Sequence, residues 1–209
     1  MTDADHEKVR AAVAKAESTL SAEIVPCVFA QSSPYPELMW QGACAGMSLA
    51  IGALFVIDTF HPLWTDWSRL TLWITSAGMC GAAFGRWCGP IKRILIGHQR
   101  MEDSVSRRAK EVFFDRGIAR TTGRVGVLIF ASLLERRVVV LADEAVRVKV
   151  PAGAWDATVS AMTALAAEGR VADGLCAAVE AAAKALVTAG FSGKPARNEL
   201  GDAPLLGNE

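Results

Sequence analysis

The chain has 209 residues, and 22 Lys and Arg balance 22 Asp and Glu at a formal net charge of zero. That balance argues against a nucleic-acid partner, which calls for a basic face. Five Cys without a CxxC, and three scattered His, argue against a disulfide framework or a zinc site.

Taken in order, residues 2–20 are an expected helix. Thr2 and Asp5 fit a capping box. Val9, Val13, Ala16 and Leu20 recur on one helical face. The acidic, polar start predicts no cleavable signal peptide. Glu23 to Gln31 (EIVPCVFAQ) is expected to be a buried strand. Pro26 cannot donate to a ladder, which predicts an edge strand or a bulge there. Ser32 to Pro36 then breaks the chain.

Two apolar runs follow. Leu38 to Ile57 holds 20 residues without a charge, and Leu70 to Cys88 holds 19 with only Arg86 charged. A helix of about 20 apolar residues crosses a bilayer, so the runs predict a transmembrane hairpin. Trp40, Trp64, Trp67, Trp73 and Trp87 lie where an interfacial belt would place them. From Arg86 to Arg124, ten Lys and Arg stand against four Asp and Glu. The positive-inside rule then puts both termini and the soluble domain on the cytoplasmic side of the membrane. Gly42, Gly46 and Ala50 repeat every four residues, as do Ala77, Gly81, Gly85 and Gly89. This spacing lets helix backbones approach closely in lipid. The partner is the other helix of the hairpin, a second copy, or another membrane protein.

After Gly89-Pro90 a helix is expected to about Arg116. Arg120 to Arg124 is a turn. Val125 to Ser132 (VGVLIFAS) is a near-continuous apolar run, the pattern of a strand covered on both faces. Leu134 to Arg137 is a hairpin turn, Val138 to Leu141 a strand, and a short amphipathic piece runs to Val150. Two helices follow, ended by Gly169 and Gly190. From Ser192 a flexible tail is expected. The first two strands are expected to be parallel across a right-handed crossover, the second and third antiparallel. The plan is one domain made of residues 1–36 and 90–191, a hairpin at 37–89 inserted in it, and a tail at 192–209.

The stretches SAEIVPCVFAQSSPY, RRAKEVFFDRGIARTTGRVGVLIFASLLERRVVVLADEAVRVKVPAGAWD and GRVADGLCAAVEAAAKAL resemble the TPM domain family. The resemblance covers residues 7–190 outside the apolar runs and is closest from Ala109 to Asp156. Its markers are Arg124 with Gly126 to Phe130, Ser132 to Val138, Leu141 to Asp143, Trp155-Asp156 and Ala172 to Leu175. It implies an α/β fold: a compact TPM-like three-layer domain with a small mixed sheet, here interrupted by a two-helix transmembrane hairpin. Relatives include thylakoid-lumen proteins, a receptor accessory protein and bacterial membrane proteins. Acid phosphatase activity and divalent-cation binding are ascribed to some. Most relatives expose the domain outside the cytoplasm, and this chain departs from them in its basic flank.

An enzyme needs a recognisable constellation, and no catalytic residue is assigned. Asp143 and Glu144 follow the third strand, where open α/β sheets bind ligands. With Asp115 and Asp156 nearby they are candidate ligands for Ca2+ or Mg2+. Arg124 offers a guanidinium to an anion. The competing reading makes Asp143 a helix cap and Glu144 a solvated charge. The expected function is a membrane-anchored, non-catalytic accessory protein that binds, assembles or stabilises a larger membrane protein complex. Gly42, Gly46, Gly81 and Gly85 are its helix-packing sites, and the lipid bilayer and that complex are its partners. The alternative is a divalent-cation-dependent phosphatase.

Overall fold

The computed structural model of the chain describes residues 2–61, 66–121, 124–193 and 205–207. The fold divides into two compact units, Met1–Ser33 with Glu102–Glu209, and Pro34–Met101.

The larger unit opens with α1 (Asp3–Glu17), whose start carries the capping box. The Asp5 N–H donates to the Thr2 hydroxyl at 3.3 Å, and the Thr2 N–H donates to the Asp5 carboxylate at 2.8 Å. Next comes β1 (Glu23–Phe29), which lies parallel to β2 (Gly126–Ser132). Strand β3 (Arg137–Ala142) runs antiparallel to β2, and β4 (Leu205–Gly207) lies parallel to β1 on its other side. The sheet order is β3-β2-β1-β4.

Every residue of β1 and β2 is buried, because apolar clusters cover both faces of the sheet. On one face Ile24, Val28, Val127 and Ile129 meet α1, α6 (Glu144–Lys149), α7 (Asp156–Ala167) and α8 (Val171–Thr188). On the other, Val25, Cys27, Phe29, Leu128 and Phe130 meet Val105, Ala109 and Val112 of α5 (His98–Asp115). The Asp173 carboxylate on α8 accepts from Lys8 of α1 and from Arg170. Those two bonds, Lys8 first, hold its carboxyl below the ordinary carboxylate range.

Pro26 was expected at an edge or a bulge, yet β1 is an interior strand. The register explains the tolerance. Glu23 donates to Val125 across the β2 side, while Ile24 donates to the Glu17 carboxylate on the opposite side. Backbone polarity alternates along a strand, so the nitrogen of Pro26 also faces away from β2. The β4 register begins only at Cys27. The missing donor therefore costs no bond to β2.

The smaller unit contains α2 (Glu37–Phe60), α3 (Trp67–Trp87) and α4 (Gly89–Ile96). The expected single helix from 90 to 116 is broken between α4 and α5 at Gly97. Its φ of +74° lies in the left-handed region that glycine enters without strain.

The expected class, a three-layer α/β domain interrupted by a two-helix transmembrane hairpin, is corrected by the structure. Helix dominates, with eight α-helices against four short strands among the described residues. Among the described residues only α2 is long and apolar enough to cross a membrane. Helix α3 has the length, 21 residues, but not the composition. Ser68, Arg69, Thr71, Thr75, Ser76 and Arg86 dilute it, and hydroxyls and glycines add little to the transfer energy that drives insertion. Counting only charges in the second run hid this. Within the expected tail, Leu205–Gly207 forms β4. Residues 194–204 and 208–209, and Pro62 and Trp64 of the loop before α3, lie outside the described residues.

Candidate functional site

The acidic pair after β3 is built by the strand's own ladder. Asp143 continues the pairing, donating its N–H to the Gly126 carbonyl at 2.9 Å. Its side chain then turns back as the N-cap of α6, where Oδ1 accepts the Glu144 N–H at 2.7 Å. Its other oxygen, Oδ2, is buried and has no hydrogen-bond partner among the described residues. Glu144 points elsewhere. Its two oxygens take the Arg147 guanidinium at 2.8 and 2.9 Å, an exposed pair one helical turn apart. Arg124 is exposed, with φ +54°, and its carbonyl accepts the Ala145 N–H at 3.3 Å. Its backbone therefore abuts α6. Gly123, which precedes Arg124, lies outside the described residues.

These residues do not assemble a cation cage. Ca2+ takes about 6–8 oxygen ligands, and no group of three or more His, Cys, Asp or Glu that could hold a metal occurs among the described residues. Asp115 ends α5, which packs on the sheet face opposite α6, and Asp156 opens α7. Gly126, the first residue of β2, has a packing role. A Cβ on Gly126 would strike the Ile118 side chain at 2.6 Å, so this glycine admits the turn above it.

Asp143 therefore acts on stability. Asp143→Ala is expected to cost about 1 kcal/mol through loss of the cap, with Asp143→Ser recovering most of it. Urea denaturation of the two variants, with and without Ca2+, checks this. A cation-dependent difference between wild type and Asp143→Ala would speak for a metal site instead.

Two buried carboxylates escaped sequence reading. Glu23 lies across Gly126 from Asp143 in the same row of the sheet. Glu135, in a segment expected to be a polar turn, is buried and accepts the Ser32 N–H at 3.0 Å and the Ser132 hydroxyl. Its signal was the pairing of Ser132 with a glutamate three residues on, across a tight turn. Cys27 is buried in the α5-side cluster, and burial pushes its thiol up to about 12. A thiol held protonated in this way is a poor nucleophile.

In the smaller unit the four glycines come together. A Cβ on Gly42 would land on the carbonyl oxygen of Gly81, and one on Gly81 would land on that of Gly42. Gly46 meets the Ala77 carbonyl in the same way, and Gly85 that of Leu38. Helices α2 and α3 are thus an antiparallel pair in backbone-to-backbone contact, and the glycine seam is spent within the chain. The outer surface is the reverse. Leu49, Phe55 and Phe60 are 75%, 73% and 75% exposed, and Leu72, Trp73, Met79 and Phe84 of α3 are exposed as well.

No family model matches the chain, and no curated protein matches it. The chain is similar in structure to the BA42 protein of the psychrophilic bacterium Bizionia argentinensis, solved by NMR. The TM-score is 0.60 at 18% identity, over 99% of this chain and 95% of that one. The two share a fold.

Proposed function

We propose that this chain is a membrane-anchored accessory protein of the TPM type, held at the cytoplasmic face of a bacterial inner membrane. The observation that carries this reading is the apolar outer face of the helical pair. Soluble monomers rarely expose large contiguous apolar patches, and the same side chains are at ease against lipid tails. Helix α2 is the segment long and apolar enough to enter the bilayer. The larger unit then offers the polar surface that binds, assembles or stabilises a membrane protein complex. The residues that resemble the TPM family support the type. The cation-dependent phosphatase is the weaker reading, because the acids around Asp143 do not gather.

The test uses native membranes. Alkaline extraction is expected to leave the full-length protein in the membrane. Purification in mild detergent is expected to bring a membrane complex with it at stoichiometric yield. Release into the soluble fraction, or recovery of the protein alone, overturns the reading.

A further inference from the structure

The open end of the helical pair, away from the loop between α2 and α3, gathers cations that have no ion pair with an acid among the described residues. Arg86 sits in the last turn of α3, and Lys92 and Arg93 sit on α4, which packs against both α2 and α3. Lys92 is 7% exposed. The Nε of Arg93 is buried and has no hydrogen-bond partner among the described residues. Burial, and then the charge of Arg86, push the Lys92 ammonium below its ordinary range. Glu37, in the first turn of α2, is already taken by Arg100 at 2.7 Å. Asp58 and Asp66 flank the loop at the far end of the pair. Burying an ammonium beside a guanidinium without a counter-charge is costly, so the fold holds this cluster against its own repulsion. An anion would relieve it. The level of the cluster says which kind. Trp87, 80% exposed, and Trp40, also exposed, ring the same end of the pair, and exposed tryptophans of membrane helices sit at headgroup depth.

We propose that Arg86, Lys92 and Arg93 form a binding site for the phosphate of an anionic phospholipid headgroup. The site rests on the anchored reading above. It fits the general behaviour of basic pockets between membrane helices on the cytoplasmic side, which take phosphate-bearing headgroups. Arg93 supplies planar donors suited to two phosphate oxygens, Lys92 a point charge, and Arg86 a second guanidinium from the neighbouring helix.

The test is binding of short-chain phosphatidylglycerol to the full-length protein in neutral detergent, with short-chain phosphatidylcholine and inorganic phosphate as competing probes. Saturable binding of phosphatidylglycerol is expected, with neither competitor displacing it at equal concentration. The triple variant Arg86→Gln, Lys92→Gln, Arg93→Gln is expected to bind on the order of a hundredfold more weakly, at roughly fivefold per charge. Arg100→Gln, whose guanidinium is already paired, is expected to bind as wild type does. Should the triple variant fail to fold, Lys92→Gln alone keeps the test, at roughly fivefold. Equal binding of phosphatidylcholine, equal binding of inorganic phosphate, or an unaffected variant overturns the proposal. Reconstitution into phosphatidylcholine vesicles followed by flotation separates the two readings. Wild type and triple variant both float if α2 anchors the protein. Wild type that fails to float ends the anchored reading and this site with it, whereas flotation without headgroup preference ends only the site.

Discussion

Gly42→Val and Gly81→Val each force α2 and α3 apart, while Gly52→Ala leaves them paired. The reason is what the new side chain meets. At Gly42 and Gly81 a Cβ would fall on the other helix's carbonyl oxygen. A carbonyl within a helix cannot rotate away as a flexible side chain can, so the axes must separate. Separation then loosens the contacts of Gly46 with Ala77 and of Gly85 with Leu38, so the damage extends along the seam. Overpacking a core costs about 1–3 kcal/mol, and a struck backbone belongs at the upper end. For a chain of this size that is a fall of roughly 6–12 °C in melting temperature. At Gly52 nothing lies within 4 Å of a Cβ, and replacing a helical glycine with alanine gains up to about 1 kcal/mol. Thermal melts of the three variants in detergent, followed by helical circular dichroism, decide it. Equal melting of all three would falsify the account of the seam.

The parts of this fold legible in the sequence are those set by local chemistry. The capping box at Thr2 and Asp5, the parallel pairing of β1 with β2 and the β2–β3 hairpin are all present. The run from Val127 to Ala131 announced a strand covered on both faces because no position in it is polar. What failed depended on sums or on distant partners. A run with a single charge, Arg86, made α3 resemble a membrane span, although its hydroxyls and glycines leave it short of one. Pro26 suggested an edge, since nothing nearby in sequence shows that its nitrogen faces the side where β4 has not yet begun. Glu135 read as a solvated turn residue, because its partner Ser32 lies 103 positions away. At the candidate site, Asp143 could be seen as either a ligand or a cap. The structure uses its Oδ1 as the cap, and the other acids are directed elsewhere. The glycine seam was visible from its spacing, and its partner was not, since spacing alone does not name the helix that fills it.

Phe130→Ala is expected to unfold much of the larger unit's stability and to leave the helical pair intact. Phe130 is fully buried in β2, its ring centroid 5.3 Å from that of Phe29 on the neighbouring strand. Val105, Ala109 and Val112 of α5 and Ile118 close the cluster around them. The guanidinium of Arg108 lies 5.0 Å from the centroid of the Phe29 ring, so losing Phe130 also frees the ring that this cation rests on. Truncating a buried phenylalanine costs about 3–5 kcal/mol, against a usual total of about 5–15 kcal/mol. Hydrogen exchange resolved by peptide separates the two units. Peptides of β1 and β2 are expected to exchange roughly a hundredfold to a few thousandfold faster in the variant. Peptides of α2 and α3, whose seam shares no residue with this cluster, keep their wild-type protection. Phe130→Leu, which leaves most of the volume in place, is expected to cost well under half as much. Exchange that rises equally in α2 and α3 would mean that the two compact units open together, and the helical pair could not then be treated as a separately stable element.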